Sequence, residues 1–342
     1  MEENKKAAIE KIYRLTKQDA EFNEELRKRL EITPIANSGM IDDERLSQIY
    51  EYCIEDILRK QAENFYAPFC NNTIKEKLVY DYIRMESFRR KNEFGDYTLA
   101  LYQQIETILN AIFMVSGFKE IINKMWNETF YKYWDKSKKQ FVEWTIGSIV
   151  LGTDKDNIKW YTEGIDRAQN DKFNARDKIR IVLFYFKYFA NSNYDCENSC
   201  YISNYNYNDY KFLFDALWDI YSCRNTNHRN PEQNENEKVK AIMQKTSYSY
   251  FQFNWTLTEF VWLTKDYINT IESIISKIPK EHKAVITQLL ETIAFVKIEG
   301  NSQPTKVPDH LLKKIKDLKI NDPIILTLNG ENICDIKKEN PI

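Results

Sequence analysis

Apolar residues recur at helical spacing along most of this chain. Leu26 and Leu30, then Leu46, Ile49, Tyr50, Cys53, Ile54, Ile57 and Leu58, mark two amphipathic helices separated by Pro34 and Gly39. A third helix, over about 74–89, carries Leu78, Tyr82, Met85 and Phe88 on one side and closes in Arg89, Arg90 and Lys91. Cations in a last turn suit the negative end of the helix dipole. The stretch 97–115 turns Leu101, Ile105, Ile108, Leu109 and Ile112 inward, with Glu106 as the odd polar member of that face and Gly117 as a natural stop. Residues 118–151 read as further aromatic-rich helices, 152–174 as a polar break with short helical pieces, and 178–190 as an apolar helix central to a core. The run 191–210, built of Asn, Tyr, Ser, Asp and Cys, predicts an irregular surface loop. A helix resumes over 209–223, a polar break follows at Pro231, and a long aromatic helix runs from about 239 or 247 to 278.

The character changes after Pro279. One more helix is expected to about Phe295, then a loop through Pro304 and Pro308 and a short basic helix over 310–318. The last stretch, PIILTLNGENICDI, places two strand-like runs around Asn329-Gly330, a strong short-range hairpin signal. The expected fold class is all-α: a multi-helix bundle over 94–278, an N-terminal helical module over 1–93, and a C-terminal helix plus small β-hairpin over 279–342.

Composition narrows the function. With 43% hydrophobic and 14% aromatic residues, the 342-residue chain can bury a large core, so intrinsic disorder is excluded. Only 8 Gly and 8 Pro argue against a loop-rich all-β fold. A net charge of -2 leaves no global basic field, so any nucleic-acid contact must use a local patch. The charged N-terminus lacks the apolar centre of an export signal and no stretch reaches a membrane span, which predicts a cytoplasmic protein with no membrane partner. The six cysteines are then expected as free thiols, and Cys196 with Cys200 lacks the further ligands a zinc site needs. No Walker loop, dinucleotide-binding glycines or serine nucleophile motif is present, so no cofactor and no metal are expected.

The chemistry concentrates in Arg224-Asn225-Thr226-Asn227-His228-Arg229. An imidazole moves protons near neutral pH, and a guanidinium stays charged and can clamp a phosphate. RNA cleavage needs both functions, because the 2'-hydroxyl loses a proton, the 5'-oxygen gains one, and charge grows on the phosphorane. A pair of such sets, brought together in a dimer, would be chemically more complete than one. Read structurally, the same residues could simply cap a helix.

An Arg-Asn pair closing one helix, a histidine shortly after it, and a preceding long helix (FGDYTLALYQQIETILNAIF) with inward Glu106 resemble the HEPN superfamily of helical ribonucleases and toxins. The likeness spans about 94–278, and the spacing from Arg224 to His228 is one residue shorter than that family usually shows. The resemblance implies a metal-independent endoribonuclease of a bacterial defence or toxin system, acting on single-stranded or loop RNA as a homodimer. Arg224 would then stabilise the phosphorane, His228 carry the proton, Asn225 position the ribose or imidazole, and Glu106 orient Arg224. Asn227, Arg229, Arg89, Arg90 and Lys91 are candidate RNA contacts, and the N-terminal module is a candidate seat for an activator or partner protein. The alternative is a catalytically silent helical scaffold that dimerises or docks a partner.

Overall fold

A computed structural model describes residues 2–29, 43–151, 173–228 and 237–339. Five helices open the chain: α1 (Glu2–Gln18), α2 (Ala20–Arg29), α3 (Asp43–Tyr66), α4 (Asn72–Lys91) and α5 (Phe94–Phe113). The breaks between α3, α4 and α5 have local causes. Asn71 caps α4, its side chain accepting a hydrogen bond from the Thr73 amide at 2.9 Å, and Asn92 ends the helix in the left-handed conformation at φ 58°. Helices α6 (Phe118–Met125) and α7 (Ile146–Leu151) flank a hairpin of β1 (Thr129–Asp135) and β2 (Gln140–Thr145). Next come α8 (Ala175–Lys187), a second small hairpin of β3 (Asn193–Asp195) and β4 (Cys200–Ile202), and α9 (Tyr207–His228). Helices α10 (Glu237–Gln244), α11 (Thr246–Thr264) and α12 (Tyr267–Ser276) complete the helical body.

The C-terminal part is a five-stranded antiparallel sheet in the order β7-β6-β5-β8-β9. Its strands are β5 (Lys280–Leu289), β6 (Ala294–Ile298), β7 (Thr305–Lys306), β8 (Pro323–Asn329) and β9 (Asn332–Lys338), with a 3-10 helix at Asp309–Lys314 before β8. Period-two burial is clear in β8, where Ile324, Leu326 and Leu328 face inward beneath Ala284, Ile286, Val296 and Ile336. This core is separate from the helical one, which gathers Tyr66, Leu78, Met85, Tyr97, Ile105, Tyr185, Leu217, Phe253 and Ile271 among others.

The all-α expectation is therefore corrected: the chain is α+β, with a substantial sheet where a single hairpin was expected. The hairpin at Asn329-Gly330 does form, Asn329 pairing with Asn332 and Gly330 at φ 62°, but it is two of five strands. The helix expected to reach Phe295 is the strand pair β5 and β6. Its helix-forming Glu, Lys, Gln and Leu residues are overridden by the β-branched run around Val285 and Ile286, which pairs with β6 on one side and β8 on the other. Within 118–151, the alternating aromatics of β1 and β2 form a hairpin whose turn is fixed by Asp135, whose carboxylate accepts from the amides of Ser137 and Lys138. The predicted irregular loop at 191–210 holds β3 and β4. The long aromatic helix to 278 is three helices, and α9 runs one turn past Cys223. The polar breaks at 152–172 and 229–236 lie outside the described residues.

One further correction concerns the thiols. Cys196, between β3 and β4, is disulfide-bonded to Cys334 in β9 across 138 residues of chain, with Cα atoms 4.6 Å apart, while Cys53, Cys70, Cys200 and Cys223 form no disulfide. The bond ties the helical body to the sheet, which otherwise follows it directly after α12. Among the described residues no helix is long and apolar enough to cross a membrane.

Candidate functional site

Helices α5 and α9 pack side by side, and the candidate site lies where they meet. On α9, Leu213, Phe214, Leu217, Ile220 and Cys223 are buried at helical spacing, and that face carries Arg224 against α5 one turn after Ile220. The Arg224 guanidinium lies over the Tyr102 ring, 5.5 Å from its centroid, and donates to the Asn225 side-chain oxygen at 2.9 Å. Its Nε is buried, with no hydrogen-bond partner among the described residues. An arginine so placed keeps donor capacity unspent in a partly desolvated setting, where an anion would be held more strongly than in water.

Tyr102 joins the sequence-predicted residues. It is buried, its ring 5.2 Å from that of Tyr221, and burial pushes its hydroxyl above the ordinary tyrosine range. Negative charge on Glu106 reinforces that shift, and the Arg224 cation opposes it. Arg224 and Glu106 are thus both close enough to Tyr102 to act on it, yet no ion pair joins them among the described residues. The expected role of Glu106 in orienting Arg224 has no direct contact behind it.

The helical backbone continues through His228, so position 228 follows 224 by one turn. Residues four apart share a helix face, whereas a looser turn would have left their relation open. The side chains of Asn227 and His228, and Arg229 as a whole, lie outside the described residues.

The three cations ending α4 are placed differently. Arg89 donates from Nε and Nη2 to the buried carboxylate of Glu86, at 2.9 and 2.5 Å. Glu86 also accepts from Asn254 Nδ2 on α11 at 3.4 Å, and Asn254 accepts from the Tyr97 hydroxyl at 2.9 Å. Arg90 donates to the Tyr50 hydroxyl at 3.0 Å and lies over its ring. Arg89 is therefore engaged in a buried network toward α11 and Arg90 is held against α3, leaving Lys91 exposed on the rim between α3 and α4.

Sequence reasoning missed a groove between α4 and α5. It has a volume of about 780 Å³, and Lys77, Asp81, Arg84, Gln103, Glu106 and Asn110 supply its polar lining. Arg84 bridges the two helices, donating to Asp81 at 3.2 Å and to Gln103 at 3.1 Å. Asp81 is buried and its second carboxylate oxygen has no hydrogen-bond partner among the described residues, and burial holds its carboxyl above the usual range against the pull of Arg84 and Lys77. The available signal was a charged residue between Leu78 and Tyr82 on an otherwise apolar face. Glu106 belongs both to this groove and to the surroundings of Tyr102.

Among the described residues no group of three or more His, Cys, Asp or Glu side chains could hold a metal ion. No family model matches this sequence, and neither a curated protein nor a solved structure matches it.

Proposed function

We propose that this protein cleaves RNA at the junction of α5 and α9, with Arg224 and His228 as the working pair. The observation that carries the reading is Arg224 itself: partly buried, stacked over Tyr102, with Nε unspent, one helical turn before the histidine. In the reaction, the 2'-oxygen attacks phosphorus as its proton leaves, and the bond from phosphorus to the 5'-oxygen breaks as that oxygen takes a proton. The products are a 2',3'-cyclic phosphate and a 5'-hydroxyl. Arg224 neutralises the phosphorane charge, His228 carries a proton, and Asn225, already bonded to Arg224, limits the rotation of the guanidinium. The substrate is single-stranded or loop RNA, whose phosphates can reach a local cationic site on a chain of net charge -2.

The test compares wild type with His228→Ala and Arg224→Ala on end-labelled RNA in EDTA, with both cleavage and end chemistry read. Loss of cyclic-phosphate products in both variants supports the reading, and full activity in His228→Ala overturns it. A second reading, a non-catalytic scaffold, draws support from the exposed aromatic face of α11, which suits a partner surface better than a substrate groove.

A further inference from the structure

Strands β1 and β2 pair only with each other among the described residues. The base of their hairpin is anchored: Phe130 is buried, its ring 4.7 Å from that of Phe184 and 6.3 Å from that of Tyr201. The far end stands in water, with every residue from Lys136 to Phe141 exposed. There Trp134 and Phe141 lie opposite each other across the strands, rings 5.0 Å apart and edge to face, yet 51% and 61% exposed. A cross-strand aromatic pair steadies a two-stranded hairpin, which accounts for the two rings meeting. It does not account for the turn between them, Lys136-Ser137-Lys138-Lys139. Three like charges this close repel one another, and none of the three is in an ion pair among the described residues. The neighbouring carboxylate, Asp135, is engaged by the amides of Ser137 and Lys138 and by the Ser137 hydroxyl, and Glu143 is paired with Lys132 at 3.0 Å. From 132 to 143, four lysines thus stand against these two acids, a local positive excess on a chain of net charge -2.

We propose that this hairpin is a binding site for single-stranded nucleic acid, in which an unpaired base stacks on Trp134 and successive phosphates meet Lys136, Lys138 and Lys139. Lys132 already lies over the Phe141 ring, 5.2 Å from its centroid, which leaves Trp134 as the stacking platform. Aromatic faces take up bases of any identity once these are unstacked, and lysines add a sequence-independent attraction to the backbone. A lipid surface fits less well. The segment that would enter it first, 135–140, has no apolar side chain, so the rings would reach hydrocarbon only behind six polar residues. The site is also separate from the cleavage residues. Tyr205, whose ring is 6.2 Å from that of Phe130, lies two residues before α9, and Arg224 is seventeen residues along that helix from Tyr207, about 25 Å at ~1.5 Å per residue. The proposal therefore goes beyond the cleavage reading and concerns binding alone.

The experiment is fluorescence anisotropy of a labelled single-stranded oligothymidylate, about twelve nucleotides long, with the full chain between about 50 and 200 mM salt. This strand lacks 2'-hydroxyls and cannot be cut by 2'-oxygen attack, so failure here and failure of the cleavage reading are separate results. The wild type is expected to bind. Lys136→Gln, Lys138→Gln and Lys139→Gln combined should reduce the steepness of log affinity against log salt by about 2, at ~0.7 per phosphate contact. Trp134→Ala should weaken binding about fivefold or more at each salt concentration and leave that steepness unchanged. The lysine variant alters only exposed side chains and keeps the aromatic pair, so it decides the question even if Trp134→Ala opens the hairpin. Four results would each overturn the proposal: a wild type that does not bind at about 100 µM protein and 50 mM salt, a lysine variant with the wild-type salt dependence, a folded Trp134→Ala protein that binds as tightly as wild type, or a wild type that sediments with phosphatidylserine vesicles and leaves the strand unbound.

Discussion

The hydroxyl of Tyr66 on α3 donates to Gln104 Oε1 on α5 at 2.6 Å, and both side chains are fully buried. Gln104 returns its own amide to Ala100 O at 3.1 Å and toward Met85 Sδ at 3.5 Å. Tyr66→Phe keeps the ring and removes the donor, so the amide oxygen of Gln104 is left unpaired where water does not reach. An unsatisfied buried group costs about 1–3 kcal/mol, and a loss near 2 kcal/mol lowers Tm by roughly 4–8 °C for a unit of this size. Gln104→Met, close in volume, strands the Tyr66 hydroxyl instead and should cost a similar ~1–3 kcal/mol. The double variant leaves no orphan polar group and should lie within about 1 kcal/mol of wild type, since replacing both partners by apolar groups can be nearly neutral. Urea unfolding of the four proteins gives the coupling directly, expected at ~2 kcal/mol or more. Additive single effects, with the double variant the least stable, would refute the reasoning. The pair also fixes the register of α5 just before Glu106, so a loss of groove geometry should accompany the loss of stability.

Three other outcomes follow from the packing. The Asp81 carboxyl is raised by burial, so its protonated form is favoured in the folded state, and the stability this contributes is present at low pH and lost as pH rises through the folded pKa. Asp81→Asn should therefore raise Tm at pH 7, with the gain shrinking toward pH 4; a gain independent of pH would count against this assignment. Gly147→Ala puts a Cβ 2.4 Å from Trp126 Nε1 and 2.6 Å from Cε2, against an indole that is itself buried. Despite the helix preference for alanine, overpacking should destabilise by ~1–3 kcal/mol in thermal unfolding; a stabilised variant would show that the ring moves freely. Finally, reduction of Cys196–Cys334 opens a 138-residue separation and should cost ~2–5 kcal/mol of stability, with Cys334→Ser reproducing the loss and adding none under reductant. Identical unfolding of wild type with and without reductant would contradict a closed bond.

Local spacing made much of the helical body legible. The apolar positions 101, 105, 108 and 112 gave α5, the arginines closing α4 marked its end, and Asn329-Gly330 gave its hairpin, because each depends on residues within a turn or two. The sheet was hidden because its decisive contacts are remote. Residues 280–285 become a strand through β8, about forty positions away, against their own helix propensity. The disulfide was hidden for the same reason. At the site, Arg224 stood out by its neighbours in sequence. Tyr102 did not, since a tyrosine among apolar residues gives no sign that it will lie beneath a guanidinium. The groove of Asp81, Arg84 and Gln103 exists only once α4 and α5 are packed.

The most direct measurement is cleavage of an end-labelled loop RNA by wild type and His228→Ala side by side in EDTA, with the 3'-ends resolved as cyclic phosphate or hydroxyl. Chemistry by Arg224 and His228 predicts cyclic-phosphate ends from wild type, and at least a hundredfold less product from a variant whose thermal unfolding is unchanged. Equal product from both proteins, or ends of another kind, would contradict it.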